Sequence, residues 1–314
     1  MKPPLSIVIP SHRRADLLAL CLASVAKHAP PATQVIVVDD ASPGGCIAAV
    51  AHRFGVAAIR LPKSGGFCGA ANAGIRAATA DVVELLNDDT EVTAGWHAAL
   101  RAFDDPGIGA VAPLVLLYDP AQGPPTHIDT AGDEYDPGGF ARKRGHREPA
   151  TKYQTAGPVW GVSAAAGFYR RTALLEAGGF PEFFGAYFED VDLSFRIRKL
   201  GYAIHYEPSS VVWHRGSASY GRTPSRRTLE RQSRNEELVF WRNTHGRRLW
   251  WNMPRHAAVL CGKALRRLEE GRLTPWLTGR VQGWILAANV LNNKAGRARL
   301  SCSCLQGHER IILV

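Results

Sequence analysis

The first 92 residues alternate short β-branched apolar runs with stretches of helical spacing, and this alternation restricts the fold more than any other feature of the chain. Leu5 to Pro10 (LSIVIP), Gln34 to Asp40 (QVIVVDD), Val56 to Leu61 and Asp81 to Glu91 (DVVELLNDDTE) read as strands, with Asp16 to His28, Gly45 to Phe54 and Phe67 to Thr79 as the helices between them. Strand and helix in turn, joined by short connections, predict an α/β fold with a doubly wound, mostly parallel sheet. Two of these strands close on paired acids, Asp39-Asp40 and Asp88-Asp89. Ligands of such sheets bind beyond the carboxyl ends of the strands, so acids on neighbouring strands converge there. A hard divalent cation that accompanies phosphate takes one or two carboxylates and keeps water for the rest, which makes Asp88 and Asp89 candidates for a metal site.

Further along, Ala94 to Phe103 reads as a helix and Ile108 to Tyr118 as a strand. Asp119 to Thr155 is rich in Pro, Gly and Asp and is expected to be a long irregular excursion. Regular structure resumes at Val162 to Arg170, followed by a short helix at Thr172 to Ala177. Phe188 to Gly201 (FEDVDLSFRIRKLG) begins with acids and ends with Arg196, Arg198 and Lys199, the charge order a helix dipole favours. Tyr202 to Glu207 and Val211 to His214 are strand-like; Ser225 to Thr244 and Met253 to Leu268 are helical.

The net charge of +10 is concentrated late in the chain: Tyr220 to Arg280 holds fourteen Arg or Lys against five acids. Trp241, Trp250, Trp251 and Trp276 are interleaved with these arginines. Two readings stay open, helices packed on the main domain and a surface lying on anionic lipid. No nucleic-acid motif accompanies the charge, so a nucleic-acid partner is set aside. The apolar run near the start is too short for a signal peptide, and no stretch has the length of a membrane span. The six cysteines show no framework spacing, and Cys302-Ser303-Cys304 near His308 lacks the second pair that a metal site would need. The expected setting is cytoplasmic.

A dinucleotide site is excluded at the first turn, where Pro10-Ser11-His12-Arg13-Arg14 replaces the Gly-x-Gly-x-x-Gly that lets a backbone approach a pyrophosphate. The same edge instead gathers Asp39, Asp40, Asp88 and Asp89 with Ser11, Arg13 and Arg14. Carboxylates accept from a base imide, arginines clamp phosphate oxygens, and a metal-bound acid neutralises a diphosphate. Together they describe a nucleoside-diphosphate site.

The ordered set IPSHRR, VVDDAS, GGFCGAANAGI, LLNDDTEV, GFYRRTALLEAGGFPEFFGAYFEDVDLSFRIRKLG and VVWHRGS resembles family 2 glycosyltransferases, particularly the rhamnosyltransferase-like, polysaccharide-building members. The resemblance runs from about Leu5 to Ser219. It implies a single nucleotide-binding domain of the inverting GT-A type over residues 1–220, with a nucleotide half (1–118) and an acceptor half (119–220), followed by a basic Trp/Arg-rich helical extension (221–314). By position it implies that Asp39 reads the base beside Pro10 and Ser11, that Arg14 and Asn72 flank the nucleotide, and that Asn87-Asp88-Asp89 takes the place of the family's acidic metal motif. Asp89 is then the expected ligand of Mg²⁺ or Mn²⁺ and Asp88 a ribose contact, with His214 as a further metal ligand. Glu189-Asp190 matches the family's acidic pair, Asp190 as general base and Glu189 as the group that orients a hydroxyl or the base. Trp160, Phe183, Phe184 and Tyr187 are candidates to stack on sugar, and Ala164, Ala165 and Ala166 to shape the donor pocket.

The activity implied is transfer of a sugar from a nucleotide-diphosphate donor to a hydroxyl of a lipid-linked or polysaccharide acceptor, at the inner face of a membrane. Sugar-phosphate nucleotidyltransfer would need a glycine-bearing loop after the first strand, which IPSHRR lacks. A non-catalytic glycan- or membrane-binding protein on the same fold would not need Asp89 and Asp190.

Overall fold

The computed structural model describes residues 4–215 and 224–292. The expected boundary at 220/221, the Cys302 to His308 group and the final stretch from Ser301 lie outside the described residues. The first half runs β1 (Ser6–Ser11), α1 (Ala15–His28), β2 (Gln34–Asp39), α2 (Cys46–Arg53), β3 (Ala57–Arg60), α3 (Gly66–Ala77), β4 (Val82–Leu85), β5 (Thr90–Val92) and β6 (Ile108–Leu117). It continues through β7 (Ile128–Thr130), β8 (Asp133–Asp136), β9 (Phe140–Lys143), β10 (Gly157–Pro158), β11 (Phe168–Arg170), α4 (Arg171–Glu176), α5 (Glu189–Lys199) and β12 (Ala203–His214). Three helices close it: α6 (Arg226–Asn243), α7 (Arg247–Glu269) and α8 (Leu273–Asn292).

The main sheet has the order β10-β12-β6-β11-β4-β1-β2-β3. β1 pairs parallel with β2 and β4, and β2 with β3, as the alternation requires. β11 is antiparallel to both β4 and β6, and β12 returns parallel to β6, so the sheet is mixed at its far side. Every residue of β1 is buried. Ile7 and Ile9 pack with Leu18 and Leu22 of α1 on one face, while Val8 packs with Cys68 and Ala71 of α3 on the other. That division follows the two-residue period of a strand covered on both sides. Helix α3 lies very close to the sheet: a Cβ on Gly74 would come within 2.2 Å of Val8 Cγ1.

Several elements differ from the sequence expectation. The stretch from Trp96 to Asp104 forms 3-10 turns instead of an α-helix. The two late strand-like runs are one strand, β12, with an irregularity between Glu207 and Val211. The excursion after Asp119 is partly ordered, since β7 pairs with β6 and β8 with β9. Helix α8 has apolar residues on both faces, so no single 3.6-residue stripe announces it.

Helix α6 is built into the main domain. Leu238 and Val239 join the same core cluster as Val8 and Tyr169. Asp192 of α5, fully buried, accepts from Arg196 at 2.8 Å, from Arg242 of α6 at 2.8 Å and from Asn243 at 3.1 Å. A helix-start acid in the sequence is therefore a clamp between two helices in the fold. Helix α8 lies against α6 through Gly279 and Gly283, where a Cβ would meet the Glu230 and Arg234 carbonyls at 2.3 and 2.7 Å. Among the described residues no helix is long and apolar enough to cross a membrane.

Candidate active site

A cleft of about 2090 Å³ opens at the carboxyl edge of β1 and β4. Its first wall is the turn Pro10 to Arg14, with Asp40, the Ser64 to Phe67 segment and Asn87 to Asp89. Ser11 Oγ donates to Asp88 Oδ2 at 2.5 Å. Burial pushes the Asp88 carboxyl up to about 6, opposed by that hydrogen bond. Arg14 pairs with Asp16 at 3.0 Å and faces the same cleft.

Asp88 and Asp89 diverge. Asp89 follows β4 into β5, and β5 pairs with β12 so that Thr90 lies opposite His214. That register places His214 Nε2 3.2 Å from Asp89 Oδ1. His214 Nδ1 lies 2.8 Å from Asp129 Oδ2, and Lys143 Nζ donates to both Asp129 oxygens at 2.7 and 2.8 Å. Burial pulls the imidazole down, but the hydrogen bonds and charges of the two carboxylates outweigh it and raise it to about 9. Burial raises the Asp89 carboxyl, but the hydrogen bond and charge of His214 outweigh it and leave it below the usual range. Asp129 was missed in the sequence. It stands on a strand of three residues inside the excursion, and only the Ile128-Asp129-Thr130-Ala131 pattern hinted at a buried position.

The opposite wall is Phe183 to Tyr187, with Arg231, Gln232 and Arg234 of α6. Arg234 donates to the carbonyls of Phe183 and Phe184, each at 3.0 Å. Asn235 donates to those of Phe184, Ala186 and Tyr187 at 2.8 to 3.0 Å. The cleft wall is thus fastened by the helix that the sequence assigns to an extension. Tyr187 and Phe188 both take left-handed backbone angles, at φ 74° and 65°, a conformation costly for such residues and common where a chain positions functional groups. The next residues are Glu189 and Asp190 at the start of α5.

Glu189 is buried, and its Oε2 has no hydrogen-bond partner among the described residues. Asp190 is partly exposed and accepts from the N–H groups of Ala164 at 3.2 Å and Val191 at 2.8 Å. Burial raises both carboxyls, against those backbone donors in the case of Asp190. Ala165 accepts from the N–H of Asn87 at 2.8 Å, so one backbone segment connects the acid loop to Asp190. Neither Glu189 nor Asp190 lines the cleft itself; Tyr187 does.

Three further expected site residues also stand outside the cleft lining. Asp39 is fully buried and accepts from Arg60 at 2.7 Å and from the N–H groups of Ser42 and Ala48, while Asp40 lines the cleft. One step along a strand reverses the side chain, which separates these adjacent acids. Asn72 is also fully buried, and its amide exchanges two hydrogen bonds with the backbone of Phe180, at 2.7 and 2.8 Å. It ties α3 to the chain before the cleft wall and does not reach the cleft. Trp160 stacks on Tyr135 at 4.9 Å, with Phe195 against its edge, in a ring cluster outside the cleft lining.

A half-parallel, half-mixed sheet with an acid pair and a histidine at its carboxyl edge is the GT-A class of glycosyltransferase fold. Residues 6–177 match the family model for Glycosyl transferase family 2, and the chain belongs to that family of sugar-transferring enzymes. The pre-mycofactocin glycosyltransferase of Mycobacterium tuberculosis is 30% identical over 213 residues, covering 67% of this chain and 42% of the relative. The N-acetylglucosaminyl-diphospho-decaprenol L-rhamnosyltransferase of the same organism is 33% identical over 109 residues, 35% of this chain and 34% of the relative. The chain therefore spans less than half the length of these curated relatives. A mannosyltransferase from Pyrobaculum calidifontis, solved with GDP-Man and Mn2+, shares the fold at a TM-score of 0.55, with 17% identity over 94% of this chain and 88% of that one. GalNAc-T7, solved with UDP, GalNAc and Mn2+, does so at 0.57, with 20% identity over 74% of this chain and 48% of that one.

Proposed function

We propose that this chain transfers a sugar, with inversion, from a nucleotide-diphosphate donor to a hydroxyl of a lipid-linked or polysaccharide acceptor at the inner face of a membrane, assisted by Mg²⁺ or Mn²⁺. The observation that carries the reading is the facing of Asp89 Oδ1 and His214 Nε2 at 3.2 Å beside the Ser11-Asp88 pair. Two ligands of one octahedral ion at about 2.1 Å and at right angles lie about 3 Å apart, so this oxygen and nitrogen fit one cation. Among the described residues no group of three or more His, Cys, Asp or Glu could hold an ion alone. Two protein ligands with the remainder from phosphate and water is the arrangement such cations take on diphosphates.

When bound, a divalent ion there would neutralise the departing diphosphate. The rest falls to the protein. In this reading Asp88 and Ser11 contact the ribose and Arg13 and Arg14 the phosphate oxygens, while Asp40, held by Ser64 Oγ and the N–H groups of Gly65 and Gly66, shapes the cleft beside the base in place of the expected Asp39. Asp190 lies beyond the cleft lining, three residues after Tyr187, and in this reading it is the base. Burial increases its basicity, and an acceptor reaching it past Tyr187 gives up its hydroxyl proton as the acceptor oxygen bonds to the anomeric carbon and the carbon–diphosphate bond breaks. The names of the rhamnosyltransferase relative and of the two Mn2+ complexes support a lipid-diphosphate acceptor and a metal-assisted donor site.

The test is a screen of UDP-, dTDP- and GDP-sugars for protection against thermal unfolding with and without MnCl2, followed by donor turnover. A ligand that binds only the folded state raises its stability by mass action. Metal-dependent protection by one donor series is expected; no protection and no donor hydrolysis by any of them would refute the reading.

A further inference from the structure

The structure leaves one large surface that the sugar-transfer site does not use. Of the eleven exposed large apolar side chains among the described residues, eight lie on α7 and α8. Trp250 and Trp251 are each 78% exposed, against 4% for Trp276 in the same helical segment. On α7 the exposed residues Trp251, Pro254, Ala258, Cys261, Leu265 and Leu268 recur at alternating steps of three and four, one continuous stripe without a charge. On α8 the outward apolar residues are Leu277, Val281 and Ile285, while Trp276, Gly279, Arg280 and Gly283 face inward against α6 and Trp284, half-exposed, is anchored inward by its indole N–H on Glu237. Both helices therefore turn apolar side chains away from the domain.

The charges around these stripes select the partner. From Arg247 to Asn292 the chain carries eight cations (Arg247, Arg248, Arg255, Lys263, Arg266, Arg267, Arg272, Arg280) and two acids (Glu269, Glu270). Arg280 and Lys263 are paired inside with Glu236 and Glu237, and Arg255 pairs with Asp136 of β8, which leaves five cations against two acids, with Arg266 and Arg267 both on Glu270. Arg247 and Arg248 stand exposed in the first turn of α7, with only Leu249 between them and the two tryptophans. Two copies meeting through this face would bring like charges together. An anionic bilayer satisfies both parts: lipid acyl chains take the stripes, indole rings sit at headgroup depth, and arginines meet phosphate.

We infer that the α7–α8 hairpin is an interfacial docking surface that lays this chain on an anionic bilayer without crossing it. The inference deepens the lipid-linked acceptor proposed for the cleft and rests on it only for its purpose, because the surface would bind vesicles that contain no acceptor. It also gives the helices a division of labour: α6 fastens the cleft wall through Arg234 and Asn235, and α8 packs on α6.

The experiment is flotation of the full chain with vesicles of phosphatidylcholine alone and with about one third phosphatidylglycerol, since each arginine near an anionic surface adds attraction that salt weakens. Binding to the anionic vesicles at least tenfold above the neutral ones is expected, falling as salt rises. Trp250→Ser with Trp251→Ser should lower it at least tenfold with an unchanged melting curve, because both side chains stand in solvent. Brominated lipid should quench the fluorescence of the wild-type chain more than that of the double variant. Absence of binding to anionic vesicles overturns the inference, as does equal binding by the double variant. A concentration-dependent dimer that the double variant abolishes overturns it too, in favour of a second copy. Metal-dependent donor hydrolysis, measured on the same preparations, reports the cleft alone, so failure of the surface and failure of the transferase reading are distinguishable.

Discussion

Asp129 Oδ2 and His214 Nδ1 stand 2.8 Å apart, on strands 85 positions distant in the chain, and this contact aims the other ring nitrogen at Asp89. A carboxylate behind a histidine orients the ring and raises its basicity as a ligand. Asp129→Ala should therefore weaken Mn2+ binding roughly 10- to 100-fold, the range such partners usually control. Loss of the free Mn2+ paramagnetic signal, titrated in the presence of inorganic diphosphate, checks this without turnover. Asp129→Asn keeps an acceptor but loses the charge and should fall between. Unaltered Mn2+ affinity in both variants would sink the role.

Asp190→Asn should reduce transfer on the order of 100- to 10,000-fold while leaving metal-dependent protection by the nucleotide in place. A base works ionised, so activity rises with pH through its folded pKa. Burial holds the Asp190 carboxyl above the ordinary aspartate range, and the acidic limb of the rate profile should be displaced upward in the same direction. A limb that stays in place in wild type, or full turnover in the variant, contradicts the assignment.

Asn72→Ala separates a structural role from a nucleotide contact. The change strands the N–H and carbonyl of Phe180 in the interior, each an unpaired buried group costing about 1–3 kcal/mol. The melting temperature should fall by several degrees. Nucleotide protection, expressed as the shift above each variant's own melting point, should persist; its selective loss with an unchanged melting point would restore the nucleotide role.

Glu237 predicts a pH dependence of stability. Fully buried, it accepts from Trp241 at 2.7 Å, from Arg280 at 2.8 Å and from Trp284, and lies 3.1 Å from His256 Nε2. Burial raises its carboxyl, but these partners outweigh it and lower it to about 2 from an ordinary 4.5. A depressed folded pKa stabilises above the unfolded value, and that contribution is lost as pH falls from 4.5 towards 2. Glu237→Gln should flatten the loss of stability across this interval, measured by denaturant midpoints at several pH values. An unchanged slope would show that the acid sensitivity lies elsewhere.

The parts of the fold legible in the sequence are those where one strand or helix carries its own pattern. The strands β1, β2 and β4 read as buried because β-branched runs between helices have few other solutions. The acids of β2 and β4 announced the edge at which the cleft lies. The resemblance assigned the base to Asp39, whereas Asp40 lines the cleft, since the end of a strand decides which of two adjacent side chains faces it. Trp160 looked like a sugar platform because an aromatic carries no mark of whether Tyr135 and Phe195 already cover it.

By itself the sequence determined the strand–helix alternation, the family and the set of acids available for chemistry, because these depend on local spacing and residue type. The resemblance already paired His214 with Asp89; only the tertiary structure decided the register by which they face each other, that Asp129 stands behind the ring, and that α6 fastens the cleft wall. Those relations arise from strand register and from helix packing between distant segments. The hydrogen bonds of Asn235 to Phe184 and Tyr187 form only after α6 has found the core. No local pattern encodes them, since their geometry is set by how the sheet closes and which faces remain to be covered.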